Sequence, residues 1–381
     1  MNTQAWPNAP VAADAALSPT PVICVSHGFQ TNYERGFCNG LAARGVDVTL
    51  ISSDRSDHAG LNQGVRARNL RGSQEENRPR WTKALNLLRY HASLMLHALL
   101  HRGATLHVMG LLAPLFWCGV VQGLWFRLVC RRYVLTVHDV LPHDEHTAYS
   151  RRVCGWAYRL PQRVVVHTPR MKQRLVDEFG LQPQRVVVME HGIEPGRVTT
   201  ITDPPVGGVP LLLVFGIVVP RKGIDLLLEA LRDIPFAFRL VIAGHGPDDA
   251  YRQRLRALLA EHPQRAQVEW RDGFVPEAEM EQLFRDAALL VLPYRYIDQS
   301  GVLFQALRFG TPVLATRVGQ FEHYVSPEVG ELAEPGAAAP LREALLRWSA
   351  RRESLSRARI REIGRAYEWP ATVLSLRDAY L

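Results

Sequence analysis

Lys222 sits in the run Gly216-Ile217-Val218-Val219-Pro220-Arg221-Lys222-Gly223, between a short apolar run and a segment of helical period. A cation there can meet a phosphate held at a helix N-terminus, where free backbone N–H groups also point. The helix dipole disfavours an idle surface cation at such a place. Arginine is also the default base of this chain, because only Lys83, Lys172 and Lys222 of its 45 basic residues are lysine. A second loop, Asp298-Gln299-Ser300-Gly301-Val302, again follows a predicted strand and precedes a predicted helix. Its glycine lets backbone approach a ligand closely and its serine adds a hydroxyl. Two such loops at strand ends of one sheet point to a diphosphate. The sequence predicts Lys222 as an exposed loop cation, with little to contribute to stability.

The elements that position these loops follow from hydrophobic period. Residues 211–215, 238–243, 268–271, 288–292 and 313–316 read as strands, each a short β-branched or Leu-rich run closed by Gly, Pro or Tyr. Helix-period segments at 224–233, 249–261, 277–286 and 301–309 lie between them. Alternation of this kind implies right-handed crossovers and a parallel sheet. A second set of strands fills the N-terminal half at 21–26, 46–52, 105–110, 133–138, 163–167 and 186–190. The predicted fold class is therefore α/β, with two Rossmann-like domains facing a cleft. The expected divisions are a flexible leader at 1–20, an N-terminal domain at 21–200, a C-terminal domain at 201–365, and a tail at 366–381. The Pro/Gly-rich stretch 201–210 joins the two domains.

Length and composition agree, since 381 residues exceed one ordinary core, and 47% hydrophobic with 22% charged residues is the balance of a soluble globular protein. The leader carries no basic n-region and no apolar h-region, so no secretion signal is predicted. Five cysteines without a C-x-x-C pair predict a reduced, cytoplasmic compartment and no structural zinc. Charge is uneven. Residues 1–200 hold 23 Lys+Arg against 14 Asp+Glu, while residues 201–381 hold 22 against 23. Clusters such as Arg78, Arg80, Lys83 and Arg89 suit a phosphate-bearing acceptor or an anionic membrane surface. Nucleic acid is not expected, because aromatic residues do not interleave with these clusters. Residues 111–130 approach the length of a membrane span, but Pro114, Gln122 and Arg127 interrupt them, and a buried crossover helix is predicted. Residues 81–100 mix bases with leucines and form the better candidate for an interfacial helix.

The ordered run from Arg221-Lys222-Gly223-Ile224-Asp225 through Gly244-His245-Gly246-Pro247 to Gln299-Ser300-Gly301-Val302 and Gly310-Thr311-Pro312-Val313 resembles the retaining glycosyltransferases of the GT-B fold, family 4. More loosely the resemblance reaches Thr136-Val137-His138-Asp139, His191-Gly192-Ile193 and Glu368-Trp369-Pro370, after which the family's last helix returns to the N-terminal domain. It implies a nucleotide-diphosphate sugar as donor and co-substrate, no other cofactor and no metal. The expected acceptor is a saccharide or a polyprenyl-diphosphate-linked one, held by the N-terminal domain. Lys222 matches the family's diphosphate-binding lysine, and Ser300, Gly301 and Val302 match the turn whose amides bind phosphate. Gly216 and Gly244 fall in the matched glycine loops. Phe274 and Val275 match the loop beside the base, His138 the histidine facing the donor sugar, and Gly28 the glycine loop near the diphosphate. The family's two glutamates fall on Ile297 and Gln305, and its arginine on Ile217. Gln305 can still bond ribose hydroxyls. Asp298 or Gln299 can take over from Ile297, and Arg221 can supply the missing charge.

With no glycosidase-type nucleophile in these motifs, the resemblance implies a front-face reaction in which the leaving diphosphate accepts the acceptor's proton. Lys222, Arg221 and loop amides would stabilise it, with His138 at the donor sugar. The expected function is a retaining, metal-independent hexosyltransferase, cytoplasmic and peripheral on the inner face of the plasma membrane, in exopolysaccharide or envelope glycan synthesis. The alternatives are a GT-B sugar-nucleotide epimerase and a non-catalytic nucleotide-sugar-binding subunit.

Overall fold

A computed structural model of the chain describes residues 17–27, 31–56, 58, 60–75, 77–111, 117–141, 147–193, 208–297 and 300–381. Most of the expected leader, most of the expected linker, and the site candidates Gly28, Asp298 and Gln299 lie outside the described residues. The chain forms two compact units: Met1–Gly192 with Trp369–Leu381, and Ile193–Glu368. The divisions thus fall at Gly192/Ile193 and Glu368/Trp369, where the sequence alone places them at 200/201 and 365/366.

In the first unit the strands are β1 (Val22–Val25), β2 (Val48–Ser52), β3 (Val65–Asn69), β4 (Thr105–Met109), β5 (Arg132–Val137), β6 (Arg163–Val166) and β7 (Val186–Val188). Its helices are α1 (Thr31–Ala43), α2 (Arg80–Leu100), α3 (Trp117–Val129), α4 (Ala148–Arg159) and α5 (Pro169–Phe179). The sheet runs β3-β2-β1-β4-β5-β6-β7 with every pairing parallel. Its inner strands are buried on both faces, which is why Val22-Ile23-Cys24-Val25 is an uninterrupted apolar run. Helices α2 to α5 cover one face, with Tyr90, Leu94, Phe126, Tyr158 and Leu175 in a single cluster, and α1 covers the other. Within the predicted crossover at 111–130 lies the helix α3, but it is not the buried helix expected, since Val121, Leu124 and Leu128 on one of its faces are exposed; no described helix is long and apolar enough to cross a membrane.

The second unit repeats the plan. Its strands are β8 (Leu211–Phe215), β9 (Arg239–Ala243), β10 (Val268–Arg271), β11 (Leu289–Leu292), β12 (Val313–Thr316) and β13 (Gly330–Ala333). The helices are α6 (Ile224–Leu231), α7 (Asp249–Ala260), α8 (Glu277–Asp286), α9 (Gly301–Phe309), α10 (Phe321–Tyr324), α11 (Ala338–Arg351) and α12 (Arg357–Arg365). The parallel order is β10-β9-β8-β11-β12-β13. Chain direction across the sheet reverses between β8 and β11, so the loops leaving these two strands flank the switch point where such sheets bind ligands.

Two strands escape hydrophobic patterning. The edge strand β3 reads Val-Arg-Ala-Arg-Asn and is largely exposed, so it presents charge where a core strand presents an apolar face. The other, β13, is Gly-Glu-Leu-Ala, and a Cβ on Gly330 would lie 1.7 Å from the Val313 carbonyl oxygen. Only glycine lets β13 approach β12.

The last residues, with α13 (Trp369–Thr372) and α14 (Arg377–Tyr380), return to the first unit and close the α1 face of its sheet. Trp369 is buried in a slot between α1 and Gly192. A Cβ on Gly36 would stand 2.0 Å from the indole Nε1, and one on Gly192 2.1 Å from Cδ2. The Tyr380 hydroxyl bonds His107 Nδ1 at 2.7 Å, and Arg44 donates to the Pro370 carbonyl. Gly36→Ala is expected to lose about 1–3 kcal/mol of stability by overpacking, seen as a lower denaturant midpoint at unchanged slope. An unchanged midpoint would show that the indole is not seated against α1.

Candidate functional site

The loop after β8 folds back on its own strand. Pro220 opens a single 3-10 turn, Pro220–Lys222, and Gly223 ends it in the left-handed region at φ +64°. A Cβ at Gly223 would sit 2.0 Å from the Pro293 carbonyl oxygen just past β11, so this turn touches the second loop backbone to backbone. Arg295 locks that contact. Its N–H donates to the Arg221 carbonyl at 2.8 Å, and its guanidinium donates to the Pro220 carbonyl at 2.7 Å and to both oxygens of buried Asp225 at 2.8 Å. Tyr251 Oη donates to the same carboxylate at 2.9 Å. The Arg295 and Tyr251 bonds hold Asp225 below the usual carboxylate range against its burial. Neither Asp225 nor Arg295 shows in the sequence as a partner of the other, 70 residues away.

Lys222 is not the exposed cation predicted from its loop. Only 5% of it is accessible, its Nζ donates to the Phe215 carbonyl at 2.8 Å, and it lies 5.5 Å from the Tyr294 ring centroid. A Cβ on Gly216, at φ +94°, would come within 2.8 Å of that ammonium. Burial, and then the charge of Arg221, lower the Lys222 pKa to about 7. Gly244 serves the same packing, since its Cβ position lies 2.3 Å from the Gly216 carbonyl oxygen.

Across the switch point, buried Ser300 precedes α9 and places its Oγ 3.5 Å from the Tyr294 hydroxyl. A Cβ on Gly301, the first residue of α9, would have nothing within 4 Å. Val302 and Ile297 pack on the adjoining core, as does Val275, while Phe274 is 91% exposed. Gln305, on the first turns of α9, is half-buried, and its Oε1 is enclosed with no hydrogen-bond partner. An amide oxygen without a partner costs free energy until something donates to it.

His138 belongs to the first unit, just past β5. The Met189 carbonyl takes the Nδ1 proton of His167 at 2.9 Å, so His167 Nε2 accepts from His138 Nδ1 at 3.2 Å. Tyr33 stands edge-on to His138, His167 and His191, with centroids at 4.7, 5.4 and 5.4 Å. Burial lowers the His138 pKa to about 4, aided by His191, and lowers that of His191 to about 4. These imidazoles are neutral near pH 7. Gly110, at φ +95°, leaves room beside the His138 ring, because a Cβ there would be 3.3 Å from His138 Cδ2. Glu34, on the first turn of α1, is a buried carboxylate that the sequence reading passed over; burial raises its pKa.

Residues 204–367 match the family described as Glycosyl transferases group 1, and residues 30–197 the one described as Glycosyltransferase Family 4. With the doubly repeated parallel fold, this makes the chain a glycosyltransferase of the GT-B type. It is 26% identical over 336 residues to a D-inositol 3-phosphate glycosyltransferase of Acidothermus cellulolyticus, covering 78% of this chain and 72% of that one. A GDP-mannose:glycolipid 4-beta-D-mannosyltransferase of Xanthomonas campestris is 28% identical over 205 residues, 52% of this chain; the chain spans 54% of that relative. Among solved structures, sucrose-phosphate synthase from Thermosynechococcus elongatus superposes with a TM-score of 0.73 at 21% identity, covering 95% of this chain and 98% of that one. The Anabaena protein HepE in complex with UDP-glucose gives 0.69 at 15%, covering 94% and 98%.

The low pKa of Lys222 has a signed consequence. It lies below the ordinary 10.5, so the folded lysine is mostly neutral at pH 8, and a diphosphate at its Nζ would draw a proton back onto it. Calorimetric titration with a nucleoside diphosphate in buffers of different ionisation heat is expected to show uptake of up to about one proton at pH 8 and little at pH 6. Equal uptake by Lys222→Ala would exclude the lysine as its source.

Proposed function

We propose that this chain transfers a sugar, with retention of anomeric configuration, from a nucleotide-diphosphate sugar to a saccharide acceptor. The observation that carries this reading is the meeting, at the switch point of the second sheet, of a buried lysine with the N-terminal turn of α9, where Gly216 lies against both Lys222 and Val302. That pairing offers one cation and a set of amides to the same anion, as a departing diphosphate requires. The HepE neighbour was solved with UDP-glucose, and the Xanthomonas relative is a glycolipid mannosyltransferase by name, which supports a nucleotide-sugar donor and a lipid-linked acceptor.

In the proposed reaction the acceptor oxygen bonds the anomeric carbon on the face from which the diphosphate leaves, as the old carbon–oxygen bond breaks. The acceptor's proton passes to the leaving phosphate oxygen. Lys222, Arg221 and the α9 amides stabilise the charge that develops, so that this set needs no metal ion, and His138 positions the donor sugar. Gln305 fills its vacant acceptor position with a ribose hydroxyl. One observation favours a second reading, a binding subunit without turnover: Ile297 is committed to the core and brings no carboxylate to the sugar.

Donor binding and transfer separate these readings. Gln305→Glu is expected to bind nucleoside diphosphate as well as or better than the wild type, and Gln305→Leu to lose roughly 1–3 kcal/mol through unpaired hydroxyls. Lys222→Ala is expected to retain less than about a tenth of the transfer rate. Its fold is checked by circular dichroism, because the lysine is buried. Leucine binding as tightly as glutamine would remove Gln305 from the site. Donor binding without transfer to any acceptor would favour the non-catalytic subunit.

The proposed working place is the cytoplasmic face of an anionic membrane, with the first unit against the lipid. Trp81 (70% exposed), Leu88 and Leu100 of α2, with Val121 and Leu128 of α3, present apolar surface to solvent among Arg80, Lys83, Arg89 and Arg127. Apolar side chains within a basic surface fit an anionic bilayer. In sedimentation assays the protein is expected to bind phosphatidylglycerol vesicles, to be released by salt, and to bind less well as Trp81→Ser. Equal binding to phosphatidylcholine vesicles would contradict the electrostatic part.

A further inference from the structure

We infer that the first unit carries a second anion site, for a phosphate group, at the end of its sheet opposite the loop that holds His138. A cavity of about 490 Å³ lies there, within the range usual for small-ligand sites. The fold makes it where α2 stops short of the sheet edge. Ile23 of β1, Thr49 of β2 and Arg66 of β3 are in register, so they share the face that α2 covers with Tyr90, Leu94 and Ala98. Arg68 follows on that face two residues later. At its C-terminal end α2 brings His97 and His101 to the same cavity, their ring centroids 4.1 Å apart.

What converges is two guanidinium groups and two imidazoles, with no carboxylate in the lining. The acid at the rim is Asp47, which bonds exposed Arg66 at 2.6 Å; Arg68 has no ion pair among the described residues. His97 is 7% exposed, and its Nε2 is enclosed without a hydrogen-bond partner. His101 Nδ1 donates to the His97 carbonyl at 2.9 Å, which quiets the helix-end carbonyl that would otherwise repel an anion. Burial, then His101 and Arg68, hold the His97 pKa down to about 4. A bound anion would offset both like charges. Donors arriving from two elements suit a tetrahedral phosphate, whose several oxygens can each take one, and arginine pairs its oxygens in bidentate fashion.

The phosphate has two chemical sources. It can belong to a soluble phosphoester, or to a lipid headgroup, since Leu96 and Leu100 of the same α2 turns are exposed beside it. The inference does not depend on the transfer reaction, and its test uses a different site. In the full chain, labelled with 15N-histidine, inorganic phosphate is expected to shift the His97 ring resonances saturably. The shift should persist in Lys222→Ala, and its midpoint should weaken by about tenfold or more in Arg68→Gln, a surface change that leaves thermal stability intact. No movement of His97, or an unchanged midpoint in Arg68→Gln, would overturn the site. The source is then read from two probes. Arg68-dependent capture by phosphatidylcholine vesicles containing phosphatidic acid marks a lipid headgroup. Arg68-dependent binding of glycerol 3-phosphate, with vesicle capture indifferent to Arg68, marks a soluble phosphoester.

Discussion

The second unit depends on a contact that tolerates no side chain. Gly223 lies against the Pro293 carbonyl and Gly244 against that of Gly216, so three successive strand-end loops touch through bare backbone. A methyl group at either position would push the loops apart, and both φ values lie where an L side chain is strained. The Asp225–Arg295 pair then fixes the arrangement with charge-assisted bonds from a half-buried guanidinium to a buried carboxylate. Lys222 is buried as a result of this geometry. Among the described residues its ammonium donates to the Phe215 carbonyl at the strand end and meets no carboxylate.

The first unit solves the same problem with rings. His107, His138, His167 and His191 come from β4 and from the loops after β5, β6 and β7, which a parallel sheet delivers side by side. Tyr33 and Phe37 of α1, with Trp369 from the chain's end, fill the space among them. Each imidazole has its pKa lowered first by burial, to about 3 for His107 and about 4 for His138 and His191. Such groups favour the folded state fully above the ordinary value of 6.5, and that contribution is lost as pH falls toward 4. The tail that seats Trp369 and Tyr380 is therefore part of the environment that keeps His138 neutral.

Much of this was legible in the sequence, for identifiable reasons. Buried parallel strands show as continuous apolar runs, and a helix start after Ser300 shows as a Ser-Gly step, so the loops after β8 and β11 are legible as strand-to-helix turns. The edge strand β3 did not, since exposed strands carry no apolar signature, and β13 is too short and too polar. The burial of Lys222 was invisible because it comes from Gly223 meeting Pro293, a contact between loops 70 residues apart. The histidine cluster was missed for a related reason: roughly one histidine per strand-helix unit reads as scatter until the sheet stacks the strand ends. The basic cavity under α2 needed the register of β1, β2 and β3, which no local pattern supplies.

Charge at the second unit's switch point is left for the ligand to complete. Lys222 and Arg221 lie on one loop, α9 turns its positive end to the same region, and the two positions where the family carries glutamates hold Ile297 and Gln305. Burial, and then the charge of Arg221, lower the Lys222 pKa to about 7, and neither of those two positions brings a carboxylate to offset them. A diphosphate bound there would reverse that balance, because its charge makes the protonated lysine the favoured form in the same dry surroundings. The glutamine at 305 fits this state. In the proposed donor complex it would offer an oxygen to a hydroxyl without adding a negative charge that competes with the diphosphate for the lysine.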